Sequence, residues 1–260
     1  MTPQTLILRT AGTNCDAELA HAFRLAGAEP TTLHLNELIA DPRKLEGFDI
    51  VGFPGGFSYG DDIAAGRILA NRLRHRLYEP LLAAIDRGVP MFGPCNGFQV
   101  LVKLGFLPDP HSGQQSVTLA HNDTGRFIDR WVPVRPEPAS VCVWTKGLAA
   151  HDLPIAHGEG RLVAPADVLD RLETQGQVAL RYDTSAAVSG GNPNGSQRDI
   201  AGLCDPTGLV FGLMPHPERY LHPTNHPHWT RREQSEPLGL RYFQNAVEHV
   251  KNTRPAAVGR

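Results

Sequence analysis

Short apolar runs alternate along the first hundred residues with stretches in which apolar side chains return every three or four positions. Thr5 to Thr10 reads as a buried strand, and Gly12 turns the chain. Thr13-Asn14-Cys15-Asp16 has the Thr-x-x-Asp spacing of a helix start, after which Leu19, Ala22, Phe23 and Ala26 recur at helical spacing until Gly27 stops the helix. Thr31 to Leu35 and Asp49 to Phe53 are the next strands, the second running into Pro54-Gly55-Gly56. Ile63 to Gly88 has a helical pattern that Pro80 should divide or kink. Strands alternating with helices predict an α/β fold: a doubly wound, largely parallel sheet with flanking helices. In such a sheet the site lies at the carboxyl ends of the strands.

Beyond residue 103 the pattern changes. Lys103 to Gly113 is a connector rich in proline and glycine, and Ser116 to Thr145 carries a small β-rich excursion of short runs, Val117-Thr118-Leu119, Phe127 to Val134 and Val141 to Thr145. Three more strands are expected at Val178 to Tyr182, Ile200 to Cys204 and Leu209 to Met214, with Asn192-Pro193-Asn194-Gly195 as a turn. Leu238 to Val250 places Leu240, Phe243, Val247 and Val250 on one face of a closing amphipathic helix. With no repeat, low-complexity segment or linker in the pattern, the expectation is one domain over 1–260, of which 220–260 is a C-terminal loop and closing helix.

Composition narrows the partners. A net charge of −2 over 260 residues gives no general attraction to nucleic acid or to an anionic membrane, so small neutral or zwitterionic substrates fit better. The apolar run Leu6-Ile7-Leu8 is too short for a signal sequence and no stretch approaches spanning length, so a cytoplasmic location is expected. Cys15, Cys95, Cys142 and Cys204 lack Cys-x-x-Cys spacing, which suggests neither a zinc site nor a disulfide framework.

The chemistry centres on Val89 to Gln99. An apolar run ends in Gly93, Cys95 stands between small residues, and helical spacing resumes at Asn96. Gly93 and Gly97 flank the cysteine in the Gly-x-nucleophile-x-Gly pattern of a strand-to-helix elbow, where glycines let the backbone bend and pack closely. The following helix points its N-terminal N–H groups at the sulfur. Cys95 in isolation also fits a small buried cysteine at a strand end. The loop Pro54 to Asp62 lacks the Gly-Lys-Ser/Thr ending of a phosphate loop, and Asp61 and Asp62 would repel phosphate. Two uses stay open for it: N–H donors to an oxyanion on an acyl carbon attacked by Cys95, or an ordinary glycine turn. Downstream, the strand ending at Met214 runs into Pro215-His216-Pro217-Glu218-Arg219, and prolines keep His216 and Glu218 extended so that both can project the same way. A histidine can take the thiol proton and return it to a leaving amine while a carboxylate orients the ring. An elbow, a glycine loop and a His-x-Glu after a core strand together point to a Cys-His-Glu acyl-transfer triad.

These residues resemble the class I glutamine amidotransferases, and among them the family of stand-alone glutaminase subunits of phosphoribosylformylglycinamidine synthase. The likeness runs through Gly12 to Asp16, Pro54 to Asp61, Cys95 to Gln99, His121-Asn122-Asp123 with Gly125-Arg126-Phe127, Ala156 to Gly160, Asn192 to Ser196 and Met214 to Arg219. It implies that Cys95 attacks the side-chain amide of glutamine, that backbone N–H groups around Gly55, Gly56, Phe57 and Asn96 hold the oxyanion, and that His216, oriented by Glu218, releases ammonia. Gln99 is then either a glutamine contact or a helix-packing residue. The ammonia would pass to an ATP- and magnesium-dependent synthetase subunit that amidates formylglycinamide ribonucleotide, with a small bridging subunit in some complexes. This chain itself would carry no cofactor. His157-Gly158-Glu159-Gly160 and Asn192 to Ser196 have no part in triad chemistry and fit either a docking surface or tight turns. His222, His226 and His228 invite a metal reading, but no helical pair or interleaved carboxylate supports it, and none is expected. Two other readings are a glutaminase subunit for a different synthetase and a cysteine-elbow redox or stress protein, which would need no leaving-group acid.

Overall fold

The chain is described over residues 1–185, 191–231 and 237–253 by a computed structural model. Of the expected 220–260 tail, 232–236 and 254–260 therefore lie outside the described residues. The first half follows the alternating pattern: β1 (Gln4–Arg9), α1 (Asp16–Leu25), β2 (Glu29–His34), α2 (Leu35–Ala40), β3 (Ile50–Gly52), α3 (Arg67–Arg76), α4 (Tyr78–Asp86), β4 (Met91–Pro94) and α5 (Asn96–Leu104). The second half adds β5 (Thr118–His121), β6 (Ile128–Pro136), β7 (His151–His157), β8 (Glu159–Val163), α6 (Ala166–Thr174), β9 (Val178–Tyr182), β10 (Ile200–Cys204), β11 (Val210–Leu213) and α7 (Leu238–Thr253).

Nine strands form one mixed sheet in the order β2-β1-β3-β4-β11-β10-β9-β6-β7. From β2 to β11 all neighbours are parallel; from β11 to β7 all are antiparallel. The β-rich excursion is thus continuous with the main sheet, apart from the separate antiparallel pair β5-β8. Strands β3, β4 and β11 lie side by side at the centre. Their carboxyl ends deliver the 54–62 loop, Cys95 and the 214–219 segment to one edge.

Strand periodicity splits the core in two. Leu6, Leu8, Val51, Met91 and Val210 face one side, where Leu69, Leu73, Leu81, Phe98 and Leu101 of α3, α4 and α5 cover them. Ile7, Ile50, Phe92, Phe211 and Leu213 face the other, against Phe23 of α1 and Phe243 and Val247 of α7. Each such side chain contributes about 1.5–3 kcal/mol by burial. Both faces of the parallel half being covered is why its strands read as near-continuous apolar runs.

Several expectations shift. Thr13 does not cap α1; the helix begins after Cys15 with no side-chain cap among the described residues, and the Thr13 hydroxyl instead accepts from the Thr10 N–H at 3.2 Å. The division expected at Pro80 is present, three residues upstream of the proline. The chain breaks at Leu77, whose φ is −135°, and Pro80 sits in the first turn of α4, where a helix has no use for its missing N–H. Val141 to Thr145 is not a strand: Val141 N–H donates to Gly176 O and Val143 N–H to Gly208 O, both at 3.0 Å, so the segment is spent on two loops. Leu35 leaves the expected second strand to start α2, and β7, β8 and α6 are additional to the sequence reading.

Gly97 faces the tightest approach of helix to sheet. A Cβ there would stand 2.0 Å from Phe53 O, while one at Gly93 would meet the Gly97 carbonyl carbon at 2.7 Å. Alanine at position 97 would gain about 1 kcal/mol in helix propensity. The obstacle is a backbone carbonyl that no rotamer change can move, so overpacking wins. Gly97→Ala should lower the unfolding free energy by about 1–3 kcal/mol, read as a fall in the urea midpoint at unchanged slope; a midpoint equal to that of the native chain would contradict this packing account.

Candidate active site

Cys95 sits on the predicted elbow. Its φ of 50° and ψ of −108° are forced on a residue with a side chain, a conformation that costs on the order of 1–3 kcal/mol. What holds it is local: the Cys95 N–H donates to Leu213 O at 2.8 Å, its carbonyl accepts the Gln99 N–H at 3.1 Å, and Gly97 lets α5 close on the sheet. The sulfur is nearly buried and contacts Ala156 O at 3.7 Å.

His216 and Glu218 follow β11, and both are buried. His216 Nδ1 meets Glu218 Oε1 at 2.6 Å; a carboxylate oxygen can only accept when ionised, so Nδ1 is the donor and Nε2 is directed elsewhere. The His216 N–H donates to Pro154 O at 2.8 Å, tying the segment to β7. Burial is the largest single influence and depresses the imidazolium, but the negative charge of Glu218 together with raising contributions from Cys95 and Cys15 outweighs it, and the group titrates well above the ordinary 6.5. Among the described residues, His216 Nε2 and Glu218 Oε2 are buried without a hydrogen-bond partner.

The glycine loop packs directly on this pair. A Cβ on Gly55 would lie 3.0 Å from His216 Cε1, and Gly56 has a φ of +132° that side chains rarely adopt. The Phe57 N–H is occupied, donating to Gly12 O at 2.9 Å, and its exposed ring lies against Phe127. Asn96 joins loop to elbow: its Oδ1 accepts the Ser58 N–H at 3.2 Å, while Nδ2 donates to Asp61 Oδ1 at 3.1 Å and to Gln99 Oε1 at 2.9 Å. Gln99 Nε2 in turn donates to Glu159 O at 2.6 Å, so its amide is engaged at both ends in packing. Burial raises the Asp61 carboxyl.

Sequence reasoning missed four side chains that gather here. Cys15, read as part of a helix start, lies with its sulfur 3.1 Å from both Asn14 Oδ1 and Arg219 Nη2. Its sulfur and ligand atoms of His216 and Glu218 fall within 4.8 Å of one another. The 2.6 Å contact between His216 and Glu218 is that of a shared proton rather than of two metal ligands. His157, Tyr182 and Asn194 are buried in the same region; His157 feels the charge of His216, and Tyr182 that of Cys95. Two of the quoted motifs contained His157 and Asn194, yet nothing in their spacing announced contact with the elbow. His226 of the histidine-rich stretch packs on Trp131 and Tyr220 and meets Asp152 at 3.3 Å.

Comparisons with known proteins place the chain among glutamine amidotransferases. The profile of the CobB/CobQ-like glutamine amidotransferase domain matches residues 2–250. The chain is 45% identical over 249 residues to the phosphoribosylformylglycinamidine synthase subunit PurQ of Dehalococcoides mccartyi, a match covering 95% of this chain and 98% of that one. It is 41% identical over 265 residues to the subunit of the same name from Methanococcus maripaludis, covering 95% and 97%. Among solved structures, a chain of the PurLQS structure from Thermotoga maritima superposes with a TM-score of 0.75 at 31% identity, covering 96% of this chain and all of that one. A glutamine amidotransferase from Thermotoga maritima, at 13% identity and a TM-score of 0.58, shares the fold.

The raised imidazolium of His216 stabilises the fold below about pH 6.5, and that contribution is lost as pH rises through the folded-state value. Glu218→Gln removes the largest of the contributions that offset burial. In the variant the His216 ring should titrate lower than in the native chain by imidazole NMR, and the stability gap between native and variant chains should shrink with rising pH. An unchanged His216 titration would sink the assignment of Glu218 as the cause.

Proposed function

The chain belongs to the CobB/CobQ-like glutamine amidotransferase family, and from that premise we infer that it is the glutaminase subunit of a phosphoribosylformylglycinamidine synthase. It hydrolyses glutamine to glutamate and delivers the ammonia to a synthetase subunit for ATP-dependent amidation of formylglycinamide ribonucleotide. The observation that carries this reading is the meeting of the Cys95 elbow with a buried His216–Glu218 pair 2.6 Å apart, in a chain that matches PurQ subunits along nearly its whole length.

In the proposed mechanism the proton of Cys95 already rests on His216 Nε2, and the Cys95 sulfur attacks the amide carbon of glutamine. N–H groups around Gly56 and at the first turn of α5, beginning with Asn96, receive the oxyanion. His216 returns the proton to the amide nitrogen, the C–N bond breaks, and ammonia leaves. Water, deprotonated by His216, then hydrolyses the thioester to glutamate. Glu218 holds the ring and stabilises its charged form. Recruiting the Phe57 N–H as a third donor requires it to leave Gly12 O, and Tyr59 and Asp61, at φ of 56° and 52°, make this loop the strained element beside the site. A redox or stress role gives the buried His216–Glu218 pair no task.

The name PurLQS of the matching complex supports a synthetase partner and a small third subunit for this chain too. ATP and magnesium then belong to the synthetase. Among the described residues, no helix is long and apolar enough to cross a membrane, which agrees with work in the cytoplasm beside a synthetase.

The test is the reconstituted complex. Cys95→Ala should cut glutamine-dependent product formation by at least about 10³-fold, as loss of a covalent nucleophile does, while ammonium chloride still supports synthesis and the circular dichroism spectrum is unchanged. Glutamine-dependent turnover surviving in the variant would refute the assignment.

A further inference from the structure

His157 carries a buried nitrogen that the mechanism above does not use. The orientation of its ring is fixed by Asn122. Asn122 Nδ2 donates to Arg126 O at 2.9 Å and to His157 O at 2.8 Å, so Asn122 Oδ1 can only accept. His157 Nδ1, 3.1 Å from that oxygen, must therefore carry the proton. Nε2 is left as an unprotonated acceptor, and among the described residues it is buried without a partner. A Cβ on Gly160 would fall 2.5 Å from the ring, so only glycine there leaves the imidazole its place.

The backbone that carries this ring borders Cys95. His157 closes β7 on the same face as Leu153 and Ile155, and the carbonyl of the preceding Ala156 touches Cys95 Sγ. His157 and His216 are near enough for the charge of one to act on the other. Burial, then the charge of His216, hold the His157 imidazole down at about 3, so it accepts hydrogen bonds at neutral pH without becoming a proton donor.

The chemistry at Cys95 needs such a group. A primary amide brings two N–H bonds into a buried site, and after His216 supplies a proton the leaving ammonia has three. Each N–H left without an acceptor in a buried place carries a desolvation penalty. We propose that His157 Nε2 accepts an N–H of the glutamine side-chain amide and then of the released ammonia. No proton is transferred to it: the C–N bond breaks, His216 supplies the one proton the nitrogen gains, and His157 only directs that nitrogen. Because it holds no acidic proton on Nε2, it also cannot convert ammonia to ammonium, which would be useless as a nucleophile downstream. This role rests on the glutaminase reading of Cys95 and adds a substrate contact to it.

The test compares glutamine with glutamic acid γ-methyl ester, whose leaving group has no N–H. Both are assayed by glutamate release with the full chain and its synthetase subunit present. For His157→Phe, the ratio of kcat/KM on amide to that on ester should fall about tenfold or more, the size expected for losing one hydrogen bond in the transition state. His157→Gln, whose Oε1 can stand near the Nε2 position, should recover most of the ratio. A His157→Phe variant in which amide and ester activities drop in parallel, or in which neither drops, would overturn the proposal. A native complex that cleaves neither substrate would instead overturn the glutaminase reading and this role with it.

Discussion

The approach of α5 to the sheet at Gly97 is the contact on which the rest of the site depends. With no side chain at 97, the first turn of α5 can rest against Phe53 O, and only that proximity lets Cys95 take a φ of 50° between β4 and the helix. Phe53 is also the residue from which the Pro54 to Asp62 loop departs. The same glycine therefore fixes the elbow and the root of the loop as one unit, and Asn96 extends the coupling by binding Ser58 and Asp61. Strain at one residue is sustained because the surrounding backbone over-determines it.

Electrostatics impose the second constraint. Burying a histidine and a glutamate together is rarely the most stable arrangement, since desolvation can exceed the Coulombic gain. The pair persists here with the imidazolium favoured, which gives the site a held proton at neutral pH. Burial pushes the Cys15 thiol up, so the second sulfur in the site adds no negative charge beside Glu218. Arg219, bonded to Glu18 at 3.0 Å and to Cys15 Sγ at 3.1 Å, closes the back of the pair.

What was legible in the sequence follows from how local each signal is. β1, β4, β9, β10, β11 and α5 were readable because apolar periodicity and flanking glycines are properties of consecutive residues. The elbow and His216-Pro217-Glu218 were readable for the same reason. β7 was not: His151-Asp152-Leu153-Pro154 resembles turn composition, and it is a strand only because β6 pairs with it from Ile128 to Val134. Val141 to Thr145 erred the other way. Cys142 and Trp144 are buried as a strand residue would be, but the backbone bonds of the segment go to loops near Gly176 and Gly208. His157, Tyr182 and Asn194 could not be connected with Cys95 at all, because their meeting depends on how the antiparallel half of the sheet is laid beside the parallel half.

That division of labour explains the motifs that have no triad chemistry. The parallel half supplies Cys95, the His216–Glu218 pair and the glycine loop, whereas the antiparallel half supplies the walls around the sulfur. Two walls need a clamp. Gln99 on the elbow helix donates to Glu159 O, and Glu159 Oε2 accepts the Ala65 N–H at 3.3 Å, so the 157–160 segment is fastened both to α5 and to the stretch preceding α3. Ser196 adds a second fastening, its hydroxyl accepting the Leu162 N–H at 2.9 Å. Glu159, Leu162 and Ser196 thus set where the lining stands relative to Cys95. A displacement of the 54–62 loop would be felt at β8 through Asn96, Gln99 and Glu159.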